Sequence, residues 1–117
     1  MNNNKSKKLK IEVYTSPTCP YCPAALKMLK NAENIYGDAL EVSKIDITTK
    51  DGQTLASFYN VLATPTIVMN SQVKFRGAPP GESILYEEIE KYLDEETLKI
   101  AKEKKKKRKQ EISMMYS

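Results

Sequence analysis

The two cysteines of this chain are separated only by Pro20 and Tyr21. The stretch Cys19-Pro20-Tyr21-Cys22 sits where an alternating apolar run ends and a helical pattern begins. No third cysteine offers another partner. A bridge within the chain therefore closes a loop too small to stabilise the fold much. Two thiols at that spacing and junction can instead close a disulfide and open it again. The chain must then hold a strand end beside a helix start, which is a strong constraint on so short a sequence.

With 117 residues there is room for one small domain and a single core. Apolar and charged shares of 40% and 29% fit a soluble globular chain. The longest apolar run, Thr66-Ile67-Val68-Met69, is far too short to span a bilayer, so no membrane partner is expected. Met1 to Lys10 is polar and basic, unlike a secretory signal. The expected location is the cytoplasm, where a disulfide pair is more often catalytic or redox-sensing than structural. The chain has no histidine, which removes Cys-His catalysis, histidine metal ligands and the usual near-neutral proton shuttle. The net charge is +4, yet between Lys99 and Glu111 eight bases stand against two acids. The basic character belongs to the tail, and the rest of the chain is slightly acidic.

Met1 to Lys8 reads as a disordered basic arm, residues 9–98 as the domain, and residues 99–117 as a lysine-rich extension. Leu9, Ile11 and Val13 alternate with Lys10, Glu12 and Tyr14 across Leu9 to Thr15, the period of a strand. Ser16-Pro17-Thr18 is a loop, and Thr18 has the chemistry to cap a helix that begins around Pro20. Pro23 is tolerable only because it lies in the first turn. Leu26, Leu29, Ala32 (or Glu33) and Tyr36 share one face of that helix, and Gly37-Asp38 ends it. Leu40 to Ile47 reads as a second strand, which makes a parallel, right-handed βαβ unit.

Asp51 is the expected cap of a short second helix marked by Leu55, Phe58, Tyr59 and Leu62, with core packing expected of Tyr36, Phe58 and Tyr59. Thr64-Pro65 ends it. Thr66 to Asn70 and Gln72 to Arg76 form an antiparallel hairpin around Asn70-Ser71. After the turn Gly77 to Gly81, Ser83 caps a last helix with Leu85, Ile89, Tyr92 and Leu93 on its apolar face, extended toward Ile100. Seven bases between Lys102 and Lys109 repel one another, so the helix frays there. The expected class is α/β, with four strands and three helices.

These residues resemble the thioredoxin/glutaredoxin superfamily over roughly Leu9 to Leu93. The resemblance rests on Cys19-Pro20-Tyr21-Cys22 after a first strand, Tyr59-x-Val61 and Thr64-Pro65-Thr66 ahead of a hairpin, and Gly77 before a C-terminal helix. It implies a four-stranded mixed sheet of order 2-1-3-4, with the first helix on one face and the other two on the opposite face or at the edge. It also implies a cis Thr64–Pro65 bond facing the cysteines, with the backbone of Thr64, Pro65 and Thr66 receiving a substrate chain. Pro20-Tyr21 looks like glutaredoxins, whereas Thr64-Pro65-Thr66 looks like thioredoxins. The glutathione-binding turn of glutaredoxins is replaced by Gly77-Ala78-Pro79-Pro80-Gly81, so glutathione is not the expected partner. The mixture is similar to small archaeal thioredoxin-like proteins.

The chemistry so implied is thiol–disulfide exchange with protein substrates, fed by an upstream reductase and needing no cofactor beyond the cysteine pair. Cys19, at the positive end of the helix, is the nucleophile. Thiols in this setting have pKa values of about 3.5–7.5. Cys22 resolves the mixed disulfide, while Pro20 stiffens the turn and Tyr21 shapes the exposed lip. Val13 stands where thioredoxins bury an acid. Glu12, Lys44 or water are the alternatives for proton movement at Cys22, and strand alternation turns Glu12 to the other face. Asp46 reads as a loop-ordering acid.

Other readings stand beside this one. The cysteines could be ordinary core thiols. They could also supply half of a zinc or iron–sulfur site shared between two chains, since zinc needs four ligands. The lysine tail reads as a solvated helix end or as a weak electrostatic contact for nucleic acid or an acidic partner. Ile112, Met114, Met115 and Tyr116 could dock on a second subunit, although a monomer is expected.

Overall fold

Alternation along the first strand divides the molecule into two layers. In the computed structural model, which describes residues 8–104, β1 (Leu9–Thr15) is hydrogen-bonded on one side to β2 (Leu40–Asp46) and on the other to β3 (Thr66–Met69). The β1–β2 pairing is parallel and the β1–β3 pairing antiparallel. β4 (Gln72–Arg76) closes the sheet antiparallel to β3, giving the expected order β2-β1-β3-β4. The hairpin turns through Asn70 and Ser71, both with positive φ (46° and 69°). That is the handedness a two-residue connection between twisted strands requires. Asn70 is also anchored across the sheet, its Oδ1 accepting from the Lys10 N–H at 3.0 Å.

One face of the sheet presents Leu9, Ile11, Val13, Ile67 and Met69, all buried. Leu29, Ala32, Ile35 and Tyr36 of α1 (Cys22–Tyr36) cover it, together with Leu85 and Ile89 of α3 (Glu82–Glu90). The opposite face carries Tyr14 and Val68, which pack on Ala56 of α2 (Lys50–Phe58). The expected layering is therefore corrected: α3 shares the face of α1, and α2 alone covers the other. The reason is area. The face with five large apolar strand residues needs two helices, and the face with Tyr14 and Val68 is covered by one short helix.

Helix starts also differ from expectation. α1 begins at Cys22, not near Pro20, and Tyr21 occupies the N-cap with no side-chain hydrogen bond, so Thr18 caps nothing. Pro23 then falls in the first turn, where a missing N–H costs nothing. α1 ends at Gly37, whose φ of 57° suits a residue without a side chain. Thr49, not Asp51, caps α2 by accepting from the Gly52 N–H at 2.9 Å. Gly81, not Ser83, precedes α3. Leu55, Phe58 and Leu62 are exposed (37%, 75% and 93%), and Gly52 and Ala56 are the buried residues of α2. The core packing expected of Phe58 is thus absent, while Tyr59 is half-buried against Tyr14.

The last helix is not continuous. It breaks at residues 91–94, and a fourth helix, α4, occupies residues 95–104. Asp94 accepts from the Thr97 N–H at 2.8 Å and so caps α4. Ala101 is its buried residue, whereas Ile100 is half exposed. The arm at residues 1–7 and the tail beyond residue 104, including Ile112 to Tyr116, lie outside the described residues. No helix among the described residues is long and apolar enough to cross a membrane.

Candidate active site

The parallel β1–α1–β2 unit brings the carboxyl ends of β1 and β2 to the same edge as the start of α1. Ser16 leaves β1, and the Cys19 N–H turns back to the Ser16 carbonyl at 3.2 Å. Cys22 then opens α1, and the Ala25 N–H is bonded to the Tyr21 carbonyl at 3.3 Å. Cys19 and Cys22 are joined as a disulfide with a Cα–Cα distance of 5.5 Å, within the range such a bridge spans. The two sulfurs are not equivalent. Cys22 is buried (4% exposed), whereas Cys19 is half-buried. Pro20 and Tyr21 are exposed on the lip between them, Tyr21 by 66%.

The second segment arrives through β3. Tyr14 of β1 is the register partner of Thr66. Two residues further, the Ser16 and Thr64 hydroxyls are hydrogen-bonded at 3.4 Å. This contact ties the loop before Cys19 to the loop before β3. The Thr64–Pro65 peptide bond is cis. Pro65 is buried, Thr66 donates its hydroxyl to the Ala63 carbonyl at 2.8 Å, and the Gly77 N–H donates to the Pro65 carbonyl at 2.7 Å. The Ser16–Thr64 bond thus links the loop that leads to Cys19 and Cys22 with the loop that carries Thr64, Pro65 and Thr66, 48 positions further along the chain.

Beside the disulfide lies a cavity of about 380 Å³ lined by Thr15, Ser16, Pro17, Cys19, Cys22, Pro23, Leu26, Lys44 and Asp46. Lys44 faces it because β2 runs in register with β1: Val13 pairs with Lys44, and Thr15 with Asp46. Asp46 orders the next loop, its Oδ1 accepting from both the N–H (2.8 Å) and the hydroxyl (2.7 Å) of Thr48. Those bonds hold its carboxyl below the ordinary carboxylate range. Glu12 is on the other face, where it accepts from the Tyr14 hydroxyl. Sequence reasoning found Lys44 and Asp46 singly. The parallel register that puts both on the cavity was not readable from either strand alone. Ser16 was missed as a tie to Thr64, since a loop serine carries no signal of a partner 48 residues away. Among the described residues, no group of three or more Cys, His, Asp or Glu side chains gathers to hold a metal ion. A larger cleft of about 790 Å³, between the end of α1 and α4, contains neither cysteine.

A disulfide at the start of a helix, its loop tied through Ser16 to a Thr-Pro-Thr loop on a sheet of this order, defines a redox protein of the thioredoxin fold. The sequence model of the thioredoxin domain matches residues 9–94, and the chain belongs to that family of thiol–disulfide oxidoreductases. It is 42% identical over 86 residues to a thioredoxin of Methanocaldococcus jannaschii, covering 74% of this chain and 98% of that protein. It is 44% identical over 81 residues to a protein named "Probable Thioredoxin" in Methanothermobacter marburgensis, covering 69% and 92%. Among solved structures, a Fasciola hepatica thioredoxin has a TM-score of 0.61 at 22% identity, covering 78% of this chain and 86% of that one. A thioredoxin variant from Halobacterium salinarum has a TM-score of 0.62 at 23% identity, covering 77% and 80%. At those identities the two structures speak for the fold.

Proposed function

We propose that the chain is a cytoplasmic protein-disulfide reductase that acts as a monomer, carries its electrons on the Cys19–Cys22 pair without a further cofactor, and is recharged by an upstream reductase. One observation carries this reading: a half-buried Cys19 stands beside a buried Cys22, next to the loop that Ser16 holds through Thr64. The accessible sulfur is the one a substrate disulfide can meet. Cys19 thiolate attacks one substrate sulfur, forming a mixed disulfide and releasing the other as a thiolate. Cys22 then attacks Cys19, and the second substrate sulfur leaves. The dithiol is oxidised by two electrons and the substrate disulfide reduced by two. The roles assigned are attack for Cys19, resolution for Cys22, a rigid lip for Pro20 and Tyr21, and a wall for the incoming chain for Thr64, Pro65 and Thr66.

The test is a pair of single substitutions assayed on a disulfide-containing protein. Cys19→Ser abolishes turnover, and Cys22→Ser accumulates mixed disulfides. Equal trapping by both variants overturns the assignment. A second reading, glutathione-dependent reduction, is favoured by Pro20-Tyr21 and disfavoured by the Gly77 to Gly81 turn. Saturable turnover with glutathione would establish it. The shared-metal reading requires two chains, so metal or colour in a purified dimer would favour it over ours.

A further inference from the structure

From Tyr59 to Gly81 the chain carries only two charged residues, Lys74 and Arg76. This stretch includes the Thr64-Pro65-Thr66 loop, both strands of the hairpin and the turn that follows. Lys74 is engaged: its ammonium lies 3.9 Å from a Glu88 carboxylate oxygen and over the Tyr92 ring. Arg76 is exposed and forms no ion pair among the described residues.

Its place is fixed from both ends of the loop. Arg76 is the register partner of Thr66. The next N–H, that of Gly77, donates to the Pro65 carbonyl at 2.7 Å. Ile67 and Phe75, the adjacent pair, pack in the core under α1 and α3, so alternation turns Arg76 to the opposite face. There its guanidinium donates to the carbonyl of Asn60, four residues before Thr64, at 3.0 Å. A guanidinium has five N–H donors, and this bond uses one. The others have no partner among the described residues. The loop between Asn60 and Thr64 is neutral, and its Leu62 is 93% exposed.

We propose that Arg76 is a specificity-determining residue, its guanidinium selecting protein disulfides whose reactive cysteine is flanked by acidic residues. The inference rests on the oxidoreductase reading above, in which Thr64, Pro65 and Thr66 form the wall for the incoming chain, and it gives that wall a preferred charge. An aspartate or glutamate of a chain lying along Thr64–Thr66 meets the unused edge of the guanidinium, whose paired N–H groups match a carboxylate. A lysine in the same place is repelled. The Asn60 bond holds the fork in position beforehand, which lowers the ordering cost of binding. The exchange chemistry is unaltered, and selection acts on the encounter of Cys19 with the substrate disulfide.

Because Arg76 is exposed, one charge contact is worth about a threefold change. The full-length chain is reduced, freed of reductant and mixed with one of two disulfide-linked peptide dimers. The dimers are identical except for glutamate or lysine on either side of the cysteine. Acid-quenched samples give a rate constant for each, and the quantity read is the acidic-to-basic ratio. Relative to the parent, Arg76→Gln lowers this ratio about threefold and Arg76→Glu about tenfold. Arg76→Lys, which keeps the charge, stays close to the parent. The gap between the parent and Arg76→Gln narrows in about 1 M salt. The folded fraction cancels within each ratio, and a role confined to tethering Asn60 slows both peptides alike. The same ratio in the parent, Arg76→Gln and Arg76→Glu, or a gap that salt leaves untouched, overturns the proposal while the oxidoreductase reading stands. Reduction of neither peptide by the parent overturns both.

Discussion

The first turn of α2 is pressed against the last carbonyl of β2. A Cβ built on Gly52 would lie 1.9 Å from the Asp46 carbonyl oxygen and 2.8 Å from the Thr49 hydroxyl. The same junction carries the Thr49 cap and the Asp46–Thr48 bonds. It holds the end of β2 that lines the cavity beside the cysteines.

Gly52→Ala is therefore expected to destabilise, although alanine is the better helix former by about 1 kcal/mol. The obstacle is backbone, so the turn must move, and overpacking of this kind costs about 1–3 kcal/mol. A net loss of up to about 2 kcal/mol in urea denaturation is the expected result. Equal or greater stability would show that α2 can shift freely. Thr49→Ala, which removes the cap alone, should cost about 1 kcal/mol.

The two deeply buried tyrosines make alkaline pH a selective stress. The Tyr14 hydroxyl donates to Glu12 at 3.4 Å, and the Tyr36 hydroxyl to Glu90 at 2.5 Å. Burial first, and then the neighbouring carboxylates, push both phenols well above their ordinary value. The folded chain keeps these protons while the unfolded chain releases them near pH 10, so above that pH the folded state binds more protons. Stability from this source is complete below about pH 10 and declines as pH rises, by up to about 1.4 kcal/mol per unit for each tyrosine. Denaturation midpoints collected from about pH 9 to pH 11 should fall less steeply for Tyr14→Phe and Tyr36→Phe than for the parent. Parallel lines would mean that neither phenol is protected. Tyr36→Phe also loses a buried bond, worth about 1 kcal/mol at neutral pH.

Apolar residues at and beyond the end of α2 carry a different expectation. Phe58 and Leu62 fall at helical spacing, yet they are 75% and 93% exposed. Phe58→Ser and Leu62→Ser should each change stability by less than about 0.5 kcal/mol. Leu29→Ala, at a fully buried site of α1, should cost about 2–5 kcal/mol. A large loss for Leu62→Ser would place that side chain in the core after all.

Those residues show where sequence stops being a sufficient guide. The strands were legible because Leu9, Ile11 and Val13 alternate cleanly and Asn70-Ser71 fits a tight turn. The cysteine pair and Thr64-Pro65-Thr66 were legible because their combination is rare and their spacing fixed. The inward face of α2 was not, because its contacts are made by Ala56 and Gly52, which carry almost no hydropathy signal beside Leu55, Phe58 and Leu62. The side of the sheet taken by α3 was not legible either, since Leu85 and Ile89 say that a face is buried and not against which layer. Nor does either strand announce that Val13 stands beside Lys44. That fact belongs to the pairing.

The final helix offers a sharper case, because the sequence reading extends the last helix toward Ile100 although a start signal stands at Asp94. Asp94-Glu95-Glu96-Thr97 places an aspartate at the N-cap and two acids in the first turn, the arrangement that favours a helix start. α4 then buries only Ala101 fully, so packing alone gives it little support. Asp94→Ala is expected to fray residues 95–104 while the sheet and α3 hold. Amide exchange should quicken across α4 with little change in β1 or β3. The cost of losing the cap is borne locally and so nearly invisible in a global denaturation midpoint. If exchange in α4 is unaltered by Asp94→Ala, the cap is dispensable and Ala101 is a stronger anchor than its size suggests.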